Sequence, residues 1–345
     1  MAMQQESLQL CRNGEQALAY SRFYELCRQL YLDGLTTETL PTVMALPDLA
    51  MHLPTVVDAD EGRSEMPALD EIAAAHQALF GFHLFPFESI FLESSGLLGS
   101  VQSEQVSATY HAVGYLSTQR GGAPDHLGEE FGLLAHLCAA EAEAWIDKRV
   151  AIAQRMQREQ VQFLQRHLLR WLAPCAVAIC RHDNHFFTEL TNIAVDLIAN
   201  HFAVVTFGSS TVDRWKLPST RAILDDPQTT LKDIAEFLIT PVHSGVFLSR
   251  FLINRIGREQ RLPRGFGSRI QMVTNLLRTA AQYEALPGLL DSLTVELSGW
   301  QQVYQTMSES HPGLAMFVEP WLARTTETIA VVQMIDAAIG PEDAD

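Results

Sequence analysis

Long apolar runs, paired cysteines and positive charge are all scarce in this sequence of 345 residues. The most apolar stretch in the middle of the chain, Trp171 to Cys180, is broken by Pro174 and falls far short of the roughly 20 residues a bilayer span needs. No membrane span is expected. The amino-terminal stretch Met1–Gly14 is polar and carries neither a twin arginine nor an apolar core of a signal peptide, so a cytoplasmic location is expected. Five cysteines, Cys11, Cys27, Cys138, Cys175 and Cys180, are an odd number without framework spacing. They are expected to be reduced and to fill the core. There is no internal repeat, no low-complexity tract and no glycine-rich phosphate loop.

Lys and Arg number 24 against 41 Asp and Glu, for a net charge of −17. The imbalance is uneven: residues 1–150 hold 21 acidic and 7 basic side chains, net −14, and residues 151–345 hold 20 and 17, net −3. Such a field repels the phosphates of nucleic acid and favours a basic partner, such as the amino-terminal part of a signal peptide. The plainer reading is that the charge keeps the protein soluble.

What is present is helical periodicity. The length suggests two units at about 150 residues each, and nearly half the residues are apolar, enough for a sizeable core. Tyr20, Phe23, Tyr24, Cys27, Leu30 and Tyr31 recur at three and four residues, the stripe of a helix ending before Asp33-Gly34. A further helical stretch is expected from about Pro41, and an exposed acidic loop over 57–67. The Asp58-x-Asp60-x-Gly62 start of that loop does not meet the calcium-loop pattern, which needs an oxygen ligand where Gly62 stands. Helices are expected at Ala68–Leu79, Ser103–Leu116, Asp125–Arg149, Gln154–Leu172 and Thr188–Ala203, with Ala203–Phe207 either a short strand or a frayed helix end. A segment rich in Ser, Thr, Asp and Pro over 208–228 reads as a connection. Beyond it, Pro241, Pro287 and Pro312 mark helix starts. The expected organisation is therefore 1–207, a connection over 208–228, and a helical region over 229–345.

Cys175, Cys180, His182 and His185 are four potential metal ligands within eleven residues. Structural zinc normally uses two close pairs, and Cys175-x4-Cys180 on a helix places its sulfurs on different faces. Two core cysteines and two loop histidines are the favoured reading, with a metal-dependent enzyme using Cys180, His182 and His185 kept as a rival. No G-x-S-x-G elbow is present, and the adjacent Glu129 and Glu130 point about 100° apart on a helix, which does not make a facing acid–base pair. No catalytic residue and no cofactor are expected. Arg250, Arg255, Arg258, Arg261, Arg264, Arg269 and Arg278 fall in a stretch opposed only by Glu259, net +6. It is expected to face water or to dock on the acidic first half.

Four segments carry a resemblance. Leu84-Phe85-Pro86-Phe87-Glu88-Ser89-Ile90-Phe91-Leu92 is similar to a P-x-E-S-x-[YF] segment, and Pro124-Asp125-His126-Leu127 with Glu130 and Phe131 resembles a P-D-H-L-x-x-E-[LF] helix start. Between them stands Tyr110-x3-Gly114-Tyr115, and after them Phe163-x3-His167-Leu168-x2-Trp171-Leu172. In this order they resemble the TorD-type redox-enzyme maturation chaperones, which include the DmsD and NarJ groups, over roughly residues 5–205. The resemblance implies an all-α fold, here a TorD-like helical bundle with an additional carboxy-terminal helical region. It also implies a chaperone without a prosthetic group that binds the twin-arginine signal peptide, the body, or both, of a molybdopterin-dependent oxidoreductase precursor. The client-binding residues it points to are Pro124, Asp125, His126, Glu88, Ser89 and Glu130.

Each has an architectural alternative. Asp125 can cap the helix beginning at His126, with Glu129 and Glu130 complementing the dipole, or accept a bidentate bond from an incoming arginine at a loop tip. His126 can be a hydrogen-bonded framework histidine or a peptide contact. Glu88 and Ser89 can fix the loop after Pro86 or line a groove, and Phe85, Phe87 and Phe91 read as core. A helical adaptor that binds no exported enzyme is the remaining rival.

Overall fold

The computed structural model describes residues 2–57, 65–95, 99–117, 122–206, 215–220, 223–263 and 265–339. In chain order these form α1 (Ala2–Leu32), α2 (Leu40–Met44), α3 (Pro47–Ala50), β1 (Thr55–Val57), β2 (Glu65–Pro67), α4 (Leu69–Ala78), a π-helical turn Leu79–His83, α5 (Glu88–Leu92), α6 (Val101–Ala112), α7 (Leu127–Ile146), α8 (Val150–Arg166), α9 (Leu168–Cys180) and α10 (His185–Thr206). Then follow α11 (Leu231–Ile239), α12 (Pro241–Ser244), α13 (Arg250–Glu259), α14 (Arg269–Gln282), α15 (Leu286–Ser310) and α16 (Ala315–Ile339). The fold is all-α, as expected. Its one sheet among the described residues is a small antiparallel hairpin in which Val56 faces Met66. That hairpin flanks the expected acidic loop. Asp58, Asp60 and Gly62 lie outside the described residues.

The chain divides into two compact units, and the division is not a single cut. The first comprises Met1–Ser89, Leu97–Leu169 and Asn184–Asp213; the second comprises Ile90–Gly96, Arg170–Asp183 and Arg214–Asp345. Parts of α5 and α9 therefore belong to the second unit. The 208–228 connection falls partly outside the described residues.

In the first unit α1 packs along α7. Tyr24, Cys27, Leu30 and Tyr31 of the expected stripe are buried, and the Tyr24 and Tyr31 rings lie 5.9 and 5.5 Å from that of Phe131. The close approach requires two glycines one turn apart on α7. A Cβ at Gly128 would stand 2.6 Å from Leu32 Cγ and 3.2 Å from the Arg28 carbonyl oxygen, and one at Gly132 would overlap the Tyr115 hydroxyl and Arg28 Cδ. Helix α1 stops at Leu32 with Gly34 at φ +74°, a conformation glycine adopts without strain.

Two expectations are corrected here. The helix expected over Gln154–Leu172 is two helices: α8 ends at Arg166, and His167, at φ −124° and ψ −92°, leaves the helical region before α9 begins. The side chain of His167 is held in a polar network described below, which decides the break against the continuous apolar pattern. The strand alternative for residues 203–207 fails, because α10 continues through Thr206; Phe207 lies outside the described residues.

The second unit has its own core, including Trp171, Phe247, Trp300, Tyr304 and Trp321, all fully buried. The Phe91 ring lies 5.5 Å from that of Trp171 and 5.4 Å from that of Phe247. Pro241 opens α12 and Pro287 stands in the first turn of α15, as expected, whereas Pro312 sits in a turn before α16. Ser268 and Gln271 close a capping box on α14, and Thr230 and Asp233 another on α11. Two of the seven arginines do framework work. Arg269 is half-buried, donates to the carbonyls of Ile239 and Leu248, and lies 4.3 Å over the Phe247 ring; Arg255 pairs with Glu296.

Candidate functional site

The two most specific resembling segments are bonded to each other. Phe87 and His126 form an antiparallel bridge, in which Glu88 N donates to Asp125 O and Leu127 N donates to Pro86 O, both at 2.9 Å. The Phe87 ring meets His126 edge-on, with centroids 4.9 Å apart. A 36-residue separation between Ser89 and Asp125 is thereby closed into one latch.

Side chains complete it. Asp125 is fully buried, and its carboxylate accepts from Ser89 N at 2.9 Å and from Ser103 Oγ at 2.5 Å. Glu88, also fully buried, accepts from Gln102 Nε2 at 3.0 Å and from His167 Nδ1 at 3.1 Å, while Thr109 Oγ1 lies 3.1 Å from His167 Nε2. Tyr110 Oη donates to Pro124 O at 2.8 Å. The helix cap of α7 is not Asp125. It is His126, whose Nδ1 accepts from Gly128 N at 3.0 Å; Asp125 instead receives the first-turn Ser89 N–H of α5.

The electrostatics follow from burial. Desolvation, with a contribution from His76, pushes the His126 pKa down to about 3, so it caps α7 as a neutral imidazole. Glu129 and Glu130 are fully buried in the first turn of α7, where the positive end of the dipole favours carboxylates. Burial first and Glu130 second raise the Tyr110 hydroxyl well above its ordinary value. Glu129 accepts from Ser117 Oγ at 2.9 Å. Together with burial it raises Tyr115.

All six residues singled out from the sequence thus come together in the first unit, and five are buried, with Pro124 half-buried. Asp125 is not at an exposed loop tip. Exposed apolar side chains stand close by in sequence: Phe82 is 55% and Phe85 37% exposed, so Phe85 departs from the expected core assignment while Phe87 and Phe91 keep it. Ser103, Gln102 and Thr109 were not legible in the sequence. Each is a common polar residue on an ordinary helix pattern, and only a fold that brings α6 beside the latch gives it a role.

The rival metal set is dispersed in type and environment: Cys175 is buried within α9, Cys180 half-buried at its end, His182 buried with its ring 5.1 Å from Phe251, and His185 exposed at the start of α10. Among the described residues no three His, Cys, Asp or Glu side chains converge as metal ligands, and no helix is long and apolar enough to cross a membrane.

A helical bundle latched by these motifs is consistent with the all-α fold that the resemblance to maturation chaperones implies. Residues 42–177 match the family model described as nitrate reductase delta subunit, a NarJ/TorD-type chaperone family, and this segment of the chain is similar to that family. No curated protein and no solved structure matches.

Proposed function

We propose that this protein binds the twin-arginine signal peptide, the body, or both, of a molybdopterin-dependent oxidoreductase precursor in the cytoplasm, and assists its maturation before export or assembly. It acts by stoichiometric binding and forms no covalent intermediate. The observation that carries this reading is the latch joining Glu88-Ser89 to Pro124-Asp125-His126, in a region matching the chaperone family. The buried carboxylates and neutral histidine hold two chain segments in one register. Next to them, the exposed Phe82 and Phe85 offer apolar surface for the hydrophobic part of a signal. Residues 1–150, net −14, attract its basic end. In this reading Asp125 and its neighbours shape the client surface from beneath.

The experiment is titration of the full chain with a labelled twin-arginine signal peptide, read by fluorescence anisotropy. Binding is expected, with an association rate that falls as the Debye length shortens from about 30 Å at 0.01 M salt to about 8 Å at 0.15 M. Absence of binding to both the peptide and the precursor's catalytic subunit overturns the reading in favour of an adaptor.

A further inference from the structure

A second polar site lies in the first unit, and none of the latch residues lines it. A cavity of about 180 Å³ opens among α1, α7, α8 and α10, with Asn13, Gln16, Tyr20, Glu141, Gln157 and His201 on its walls. Glu141 is buried at 5% exposure. Its Oε1 accepts from Trp145 Nε1 at 2.9 Å and Gln157 Nε2 at 2.7 Å, and its Oε2 from Gln160 Nε2 at 2.8 Å. All three donors are neutral, and Glu141 takes part in no ion pair among the described residues.

The neighbouring histidine does not supply the missing charge. A carboxylate only accepts, so Gln160 turns its NH2 toward Glu141 and its Oε1 toward His201 Nε2 at 2.9 Å, which makes Nε2 the protonated nitrogen. Nδ1 then accepts from the Tyr24 hydroxyl at 2.8 Å. Burial pushes the His201 pKa down to about 3, so the ring is neutral near pH 7. The Tyr20 ring stacks on it at 4.3 Å.

The same local motif, glutamate followed four residues later by tryptophan, recurs in α15 with its counter-ions present. Glu296 accepts from Trp300 Nε1 at 3.0 Å, but also pairs with Arg255 at 2.5 Å and Arg181 at 3.5 Å. Buried charges are ordinarily paired. At Glu141 the position of the cation is taken by the cavity.

We propose that this cavity receives the guanidinium group of an arginine side chain on a peptide ligand, with Glu141 as its counter-ion and Tyr20 as its aromatic wall. A guanidinium suits the site better than an ammonium. It is planar, less strongly hydrated and stacks on aromatic faces, and its forked N–H donors match a carboxylate. Asn13 and Gln16 also stand on the wall. The proposal rests on the function above only in taking the ligand to be an arginine-bearing peptide.

The test uses the full chain and three blocked dipeptides: diarginine, dilysine and dicitrulline, the last nearly isosteric with arginine but uncharged. Calorimetric titration at low salt is expected to show diarginine bound at least about tenfold more tightly than either other peptide. Glu141→Gln, which removes the charge, and Val204→Trp, which fills the cavity from its half-exposed rim, are each expected to abolish that preference. Circular dichroism and the melting midpoint confirm that both variants fold. Equal binding of dicitrulline or dilysine, no binding of diarginine, or a preference that survives in both folded variants overturns the proposal. The signal peptide separates the two readings. Undiminished binding to Glu141→Gln removes the arginine receptor and leaves the chaperone, whereas diarginine binding without signal-peptide binding does the reverse.

Discussion

Glu141 in α7 and Glu296 in α15 begin from the same five-residue pattern and end in different electrostatic states. Each is buried, and each takes the indole N–H of a tryptophan one turn on. Around Glu296 two arginines close in; around Glu141 two glutamines do. The first arrangement is a finished ion pair that ties α13 and the segment after α9 to α15. The second is a negative charge held by dipoles alone beside open volume. A carboxylate's role is therefore set by what the fold brings to it rather than by its local sequence.

The largest effect that tests this difference is on stability. Glu296→Gln is expected to cost about 2–3 kcal/mol, because it strands two arginines and weakens charge-assisted hydrogen bonds. Glu141→Gln is expected to cost about 1 kcal/mol or less, since removing an unpaired buried charge offsets the disturbed hydrogen bonds. Urea denaturation of both variants measures this, and equal losses would break the comparison. Asp125 is a third buried carboxylate fed by neutral donors. Asp125→Ala orphans Ser89 N and Ser103 Oγ and is expected to cost about 2 kcal/mol, whereas Asp125→Asn, able to accept one bond and donate the other, is expected to cost about half that. Signal-peptide affinity of the folded Asp125→Asn variant reads separately whether the latch shapes the client surface.

Acid should act on the first unit through its neutral histidines. The folded-state pKa of His201 and of His126, about 3, lies below the unfolded value of about 6.5. The stabilisation is thus complete above pH 6.5 and is lost as pH falls, at a rate on the order of 1 kcal/mol per pH unit for each histidine. Melting midpoints at pH 7, 6 and 5 check this. His201→Gln is expected to flatten the slope, and an unchanged slope would contradict a neutral His201. A last effect belongs to what the two sites share: Trp145→Phe and Trp300→Phe each remove one donor and are expected to cost similar amounts, about 1 kcal/mol apiece by urea denaturation.

Much of the helical pattern was legible in the sequence, since apolar residues at three- and four-residue spacing require a buried face. The stripe of α1 was found this way, the start of α12 from the proline at 241, and the four motif segments from their resemblance to a chaperone family. The break at His167 was not, because Leu164, Leu168 and Leu172 keep helical spacing across it. What interrupts the helix is a bond from His167 to Glu88, 79 residues away. Asp125 was legible as a special residue, but its direction was not. An aspartate before a helix caps it in many settings, and only the bridge between Phe87 and His126 turns this one toward Ser89 and Ser103.

Composition and periodicity by themselves determined an all-α protein with an acidic first half, and the order of four motifs determined its resemblance to maturation chaperones. These properties are additive along the chain, so no knowledge of distant neighbours is needed to read them. Which carboxylates are paired, which histidine is neutral, and where a charge is left facing a cavity were decided by tertiary structure alone. Burial and ion pairing depend on residues tens to hundreds of positions apart, and the cost of removing a charge from water is set by all of them at once.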